Sequence, residues 1–342
     1  MSLDKDVFYD RHVFESAFQQ RLTGILHKKA LGAFILACAN ASSQPELLTS
    51  MATAIDRQFH RLKDHLQSGG LDNTSPEDRQ VFESLIALGL ENLPATEHRQ
   101  LGPWSVQYNT MRGFRHTRHA TDSPETLLIP FDTDGFSFNK PFMLQERFWQ
   151  GTFCGHSLTA YYNKFPFADY HLLWVPDREL GQSQYLQQAY HYLIWQLVEE
   201  LLPVLPGFAI GYSSIGACAS VNHLHFQSFT GKPLAVTDPC WRHNGGMSDY
   251  PLQAHVFTQA EDAWAFIAQL HQQNLAYNLL YSHNRIYCLP RQKQGRIEQP
   301  LWSPGFAWRE VSGEMLSLDR KAYLHITRED IESSLSCWRI EV

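Results

Sequence analysis

Gly211-Tyr-Ser-Ser-Ile-Gly-Ala-Cys-Ala-Ser-Val-Asn-His-Leu-His-Phe-Gln-Ser-Phe229 is the stretch on which the reading of this chain turns. Its last nine residues alternate in a way that predicts a strand over 221–229. Side chains two apart on a strand share a face. Val221, His223, His225 and Gln227 are therefore expected on one side, with Leu224 and Phe226 anchored in a core on the other. Two imidazoles and an amide would then stand at intervals of about 6–7 Å along one rigid element.

Such a row suits attack on phosphorus. A free imidazole titrates near pH 6.5, so it is largely neutral at cytoplasmic pH and competent as a nucleophile. It can split one displacement into two through a covalent intermediate. An amide such as Gln227 can hydrogen-bond phosphoryl oxygens without adding charge, and Ser220 and Asn222 offer further donors where negative charge develops. The plainer readings of an H-x-H in a chain with 17 histidines are surface residues or a pair of metal ligands.

Working outward, 170–175 and 208–213 read as strands, with a helix over 183–202 between them. That helix has Leu186, Tyr190, Leu193, Ile194 and Leu197 on one face. A weaker echo follows: strand-like 255–258, helical 260–275, then strand-like 277–281 and 285–289, which suggests tandem α+β units. Gly231, Pro233, Pro239, Gly245, Gly246 and Pro251 mark the junction, and a last helix is expected over 328–338. Upstream, 104–108, 126–131 and 157–162 also read as strands.

Residues 1–100 read mainly as helix. Phe14, Phe18, Leu22 and Ile25 recur at helical spacing, as do Met51, Ile55, Phe59 and Leu62. A loop is expected over 67–76, and Ser75-Pro76-Glu77-Asp78 is a helix start.

The chain of 342 residues is 44% hydrophobic and 18% charged, a globular composition. Its formal net charge of −7 argues against a nucleic-acid partner, since phosphate backbones are gripped by basic faces. A small anion needs only a local cluster of donors. The longest apolar run, 30–39, is half of what a membrane span needs, so no membrane partner is expected. Lys28 and Lys29 before that run mimic a signal peptide, but behind a charged segment. Six scattered cysteines without a C-x-x-C pair suggest free thiols and a cytoplasmic protein.

The H-x-H-x-Q string resembles the active-site signature of the histidine-triad superfamily, in the branch holding galactose-1-phosphate uridylyltransferase and the nucleotide phosphorylases. In that branch the second histidine receives the nucleotidyl group, which implies His225 as nucleophile beside Gln227 and His223. Asn163-Lys-Phe-Pro-Phe-Ala-Asp-Tyr-His-Leu-Leu-Trp-Val-Pro176 is similar to the family's N-x-F-P…H-x-L-x-x-P strand pair, which helps hold the nucleotide. The nearest likeness is to GDP-hexose phosphorylases. It extends to Gln107-x-Asn109-x-x-Arg112, Phe136-Ser-Phe138-Asn-Lys140, Tyr277-Asn-Leu-Leu280 and Ala307-Trp-Arg-Glu-Val-Ser-Gly-Glu-Met315, and spans about residues 100–320. Asn163-Lys-Phe-Pro166 is closer to the diadenosine tetraphosphate phosphorylase version, so base and sugar stay open. The C-x-x-C of the zinc-bearing uridylyltransferases is absent, and Cys154-Gly-His156 and Cys240-Trp-Arg-His243 each offer only half a metal site.

The resemblance implies an α+β fold. Two histidine-triad-like halves form an open, antiparallel, barrel-like sheet flanked by helices, with a helical N-terminal extension. The expected division is an extension over 1–100, a first half with the site over 101–245, and a second, degenerate half over 246–342. His225, Gln227 and His223 are the expected catalytic residues. Ser220, Asn222, Asn163, Lys164, Arg112 and Lys140 are expected on the nucleotide and its phosphates. No metal and no cofactor are expected. His171, in an apolar run, reads as a satisfied strand histidine, and the basic stretch 112–119 as a solvated loop. The implied partners are a nucleoside diphosphate sugar or dinucleoside polyphosphate, with inorganic phosphate or a sugar phosphate as acceptor; the oligomeric state is open. The alternatives are a nucleotide-binding protein without turnover, a hydrolase using water as acceptor, and a metal-dependent hydrolase with His223 and His225 as ligands.

Overall fold

A computed structural model describes residues 3–28, 30–70, 74–115 and 123–342. The chain opens with α1 (Lys5–Phe8), α2 (Arg11–Leu26), α3 (Leu31–Ala41), α4 (Pro45–Gln67) and α5 (Pro76–Leu88). The periodic residues turn inward together: Phe14, Phe18, Leu22 and Ile25 on α2, and Met51, Ile55, Phe59 and Leu62 on α4. Ser75 caps α5 by accepting the Asp78 N–H at 3.1 Å, and Pro76 opens the helix with its preset φ. Strands begin before residue 100, with β1 (Glu97–Leu101) and β2 (Trp104–Tyr108).

After α6 (Thr110–Gly113) come β3 (Arg147–Phe153), β4 (His156–Tyr162), β5 (Leu172–Pro176), α7 (Gln188–Leu201), β6 (Phe208–Ser213) and β7 (Phe226–Thr230). Then follow β8 (His255–Phe257), α8 (Ala260–Gln272), β9 (Ala276–Ser282) and β10 (Arg285–Arg291). The chain ends with α9 (Trp308–Val311), β11 (Glu314–Ser317), α10 (Arg320–His325) and α11 (Arg328–Cys337). Eight strands form one antiparallel sheet in the order β3-β4-β5-β7-β6-β9-β10-β8. The sheet is open and does not close into a barrel, with β3 and β8 as its edges. β1, β2 and β11 form a second, smaller sheet in which β11 runs parallel to β2.

The large sheet repeats itself. β5–α7–β6–β7 places its last strand between the first two, and β8–α8–β9–β10 does the same. The two units meet where β6 pairs with β9. They differ where it matters chemically: residues 214–225 join β6 to β7, whereas a tight turn through His283 and Asn284 joins β9 to β10. Both turn residues lie in the left-handed region (φ 52° and 58°), as a two-residue hairpin demands.

One sheet face carries Leu172, Trp174, Phe226, Ile210, Tyr212, Leu279 and Tyr281 into the main core, under α7, α8 and the N-terminal helices. The other face carries Ala209, Phe229, Leu280, Tyr287 and Leu289 into a second core, closed by Trp308 of α9, the small sheet and α11. Gly211 lies on this face because nothing larger fits: a Cβ there would sit 2.1 Å from the Trp308 ring. Among the described residues no helix is long and apolar enough to cross a membrane.

The expected strand over 126–131 is not one. Its backbone is taken by side chains instead: Asn274 Oδ1 accepts the Leu127 N–H at 2.9 Å, and Asn222 Nδ2 donates to the Ile129 and Pro130 carbonyls. In the basic stretch, Arg115 pairs with Glu77 of α5 at 3.0 Å, while residues 116–119 lie outside the described residues.

Candidate active site

The strand expected over 221–229 begins only at Phe226. Pairing with β5 stops at Trp174↔Phe226 and pairing with β6 at Gly211↔Gln227, so His223 and His225 precede the strand. A side chain takes the place of the ladder. The buried amide of Gln184 accepts the His225 N–H at 2.9 Å and donates to the carbonyls of His225 and Ser213, while Leu224 N–H donates to the Gln182 carbonyl. The facing relation still holds. Phe226 points into the main core against Tyr212, leaving His225 and Gln227 on the opposite face.

Residue 225 is held in a defined tautomer. Its Nδ1 lies 2.8 Å from the His223 carbonyl oxygen, which can only accept, so Nδ1 carries the proton and Nε2 keeps its lone pair. Nε2 makes no hydrogen bond among the described residues. His225 is 6% exposed, and its ring sits beside Phe138, whose own ring stacks on Tyr161. Burial lowers its pKa to about 4, against a partial rise from the bond to the His223 carbonyl, so the imidazole is neutral at neutral pH. His223 is fixed from both sides: Nδ1 accepts the Phe138 N–H at 3.1 Å and Nε2 donates to the Arg178 carbonyl at 3.1 Å. It is a strut between loops, with no ring nitrogen left over for a substrate or a metal.

Gln227 is oriented by His171, a residue that the sequence presents only as one more strand histidine. His171 Nδ1 accepts the Phe167 N–H, which puts its proton on Nε2, 3.0 Å from Gln227 Oε1. The carboxamide oxygen is thereby spoken for and the NH₂ end of Gln227 is left as a donor. Asn163 Nδ2 stands 3.3 Å from the same Nε2, and Asn163 Oδ1 accepts the Phe165 N–H. Burial holds the His171 pKa well below its usual value, reinforced by the cationic Arg309 and Arg112.

The expected phosphate contacts divide sharply. Arg112 belongs to the site's surroundings: it donates to the Phe165 carbonyl at 2.7 Å and lies over the Phe167 ring, which packs on His171. Burial lowers its pKa to about 10, with Glu310 opposing. Ser220 is exposed on the loop before His225. Asn222 is spent on structure, accepting the Gln184 N–H and donating to residues 129 and 130. Lys140 bonds the Thr133 and Asp134 carbonyls of its own loop, and Lys164 pairs with Asp78 of α5 at 2.6 Å.

The other segments of the resemblance converge on the same loops. Gln107 donates to the Phe167 carbonyl and to Glu314, and Asn109 caps the Arg112 N–H. Asn278 bonds Ser213 Oγ and the Ala217 carbonyl, pinning the start of the 214–225 loop. Arg309 lies over Phe229, two residues beyond Gln227, and pairs with Glu314 at 2.6 Å. Glu310, pushed up to about 7 by burial against the pull of Arg112 and Arg309, completes this partly neutralised cluster. Arg309, His171 and Gln184 are not among the site residues expected from sequence, since their roles rest on contacts with Phe229, Gln227 and the residue 225 backbone that only the fold brings together.

Among the described residues no three His, Cys, Asp or Glu side chains converge as metal ligands. His156 Nδ1 is held by Asp177 at 2.6 Å and His243 Nε2 by the Val236 carbonyl. All six cysteines are free. Two open surface clefts, one beside Arg21 and Trp149 and one beside Leu301 and Trp338, include none of the residues around His225.

The depressed histidines make stability pH-dependent. His223, His225, His191 and His271 are each lowered to about 4, chiefly by burial. Below about pH 6.5 the unfolded chain binds protons that the folded chain refuses. Their contribution is thus complete above that pH and is lost as pH falls towards 4. Each adds a slope of up to about 1.4 kcal/mol per pH unit across that window. Urea midpoints are expected to fall steeply between pH 6.5 and 4.5; a flat profile there contradicts the assignment.

Residues 103–229 match the family described as GDPGP1-like, N-terminal domain. GDP-D-glucose phosphorylase 1 of Xenopus laevis is 27% identical over 180 residues, covering 46% of this chain and 43% of that protein. The Homo sapiens protein of the same name is 33% identical over 163 residues, covering 44% and 41%. The matched stretch thus spans under half the length of these relatives. A crystal structure of a yeast Ap4A phosphorylase in complex with Ap4A shares the fold, with a TM-score of 0.50 at 14% identity over 78% of this chain and 99% of that one. Residues 103–229 thus match the GDPGP1-like N-terminal domain, and part of the chain is similar to part of the GDP-D-glucose phosphorylases.

Proposed function

We propose that this protein is a nucleotidyltransferase of the phosphorylase type, acting on a nucleoside diphosphate sugar or dinucleoside polyphosphate with phosphate as acceptor. The observation that carries the reading is the His225 tautomer, with Nδ1–H donated to a carbonyl and Nε2 unpartnered. Nε2 attacks the α-phosphorus; a P–N bond forms and the P–O bond to the leaving phosphate breaks, the leaving oxygen taking the electron pair. The imidazolium of the intermediate is stabilised through Nδ1–H by the His223 carbonyl. A phosphate oxygen then attacks from the vacated side, and the P–N bond returns its pair to Nε2. The NH₂ of Gln227 steadies the equatorial oxygens without adding charge. Asn163 and Ser220 add donors, and Arg112 supplies the offsetting positive charge. Lys140 and Lys164 reach phosphate only by giving up their present partners, so the charge role falls to Arg112.

The names of the relatives support a GDP-sugar as donor and inorganic phosphate as acceptor. Residues 101–245 are read as the half that holds the donor and 246–342 as the half that closes the site. The six free thiols and the net charge of −7 support a cytoplasmic protein without a nucleic-acid partner. The test is a panel of nucleotide sugars and dinucleoside polyphosphates, with and without inorganic phosphate, read by product chromatography. Phosphate-dependent release of nucleoside diphosphate and sugar phosphate, with acid-labile and base-stable label on residue 225, is expected. Turnover equally fast without phosphate points to a hydrolase. Tight nucleotide binding with no product points to a binding protein.

A further inference from the structure

We propose that the helical extension is a working part of this site, with Asn40 of α3 and Asp78 of α5 as positioning residues for the loop that orients Gln227. Asn40 is 1% exposed on a helix that otherwise buries apolar side chains. Its Nδ2 donates to the Leu36 carbonyl at 2.9 Å and to the Asn163 carbonyl at 2.8 Å. A buried amide in such a helix costs free energy that leucine would not, so it calls for a return beyond packing. One residue along, Lys164 pairs with Asp78 at 2.6 Å, and Gly32 of α3 gives the pair room: a Cβ there would lie 3.0 Å from Asp78 Oδ2.

A second route runs from the extension to the same loop. Thr96 N–H donates to the Ser42 carbonyl, Asn109 Nδ2 to Thr96 Oγ1, and Asn109 Oδ1 holds the Arg112 N–H while Arg112 donates to the Phe165 carbonyl. Residues 163–167 are therefore gripped from the extension on one side. On the other, Phe167 donates its N–H to His171 Nδ1, and His171 turns the Gln227 amide. A displacement of the loop rotates the amide that faces the reacting phosphate, and misplacement near 1 Å costs up to about 100-fold in rate.

This inference rests on the proposed nucleotidyl transfer at His225, and its test separates the two. In the full chain, Asn40→Leu and Asp78→Asn are each expected to lower kcat about tenfold with KM within about twofold and an unchanged melting temperature. Asp78→Glu, which keeps the charge pair, restores most of the rate. Glu83→Gln, which breaks the Arg79 pair on the same helix, leaves kcat at the wild-type value. Amide exchange over 163–171 quickens in Asn40→Leu and Asp78→Asn whether or not any donor turns over, so it decides the positioning claim even if the catalytic reading fails. Wild-type kcat and wild-type exchange in both variants overturn the proposal. So does a loss of rate that simply follows a lowered melting temperature.

Discussion

His225→Ala is expected to lower turnover on the order of 10⁴-fold or more, the scale seen when a covalent nucleophile is removed. The loss is chemical because the fold around residue 225 is held by its backbone. Gln184 bonds the N–H and the carbonyl of residue 225, and neither bond involves the imidazole. Truncation leaves a void beside Phe138 and removes the Nδ1 bond to the His223 carbonyl, so stability drops but the loop keeps its partners. Nucleotide binding should survive within a few-fold, while the acid-labile label disappears. A folded His225→Ala protein with wild-type kcat refutes the mechanism outright.

Gln227→Glu is the second large effect and the more discriminating. The new carboxylate keeps an oxygen for His171 Nε2–H, so the hydrogen bond that orients residue 227 is preserved or strengthened. What disappears is the NH₂ donor, and a negative charge arrives where the proposed mechanism places a phosphate. Removing one preorganised donor costs about 10²–10³-fold in kcat, and like-charge repulsion adds to it. The expectation is a fall in kcat of at least that size, with a higher KM for the anionic donor that eases as salt rises. Unchanged kcat would mean that the Gln227 amide does not face the reacting group, and the role of His171 would collapse with it.

The parts of this protein visible in its residues are those whose cause is local. The inward rows of α2 and α4 follow from helical periodicity, and the start of α5 from Ser75 and Pro76. β6 and the alternating units on either side of it follow from branched and aromatic runs of ordinary length. The expected strand through His223 failed because a strand's limits belong to its neighbours. β5 and β6 cease to pair at Phe226 and Gln227, and a side chain, Gln184, takes over. The run 126–131 failed for the same reason, since asparagine side chains claimed its backbone. β11 lies beside β2 across most of the chain's length, and no short window of sequence carries that pairing.

Sequence alone determined which imidazole and which amide stand on one face, because the alternation around Phe226 is local and survives the loss of strand hydrogen bonds. Tertiary structure alone decided what those groups can do. A proton on Nδ1 of residue 225, a carboxamide turned by His171, and lysines 140 and 164 spent on other partners all depend on atoms brought together from distant segments. Hydrogen-bond direction and burial are properties of a packed neighbourhood, and only the folded chain has one.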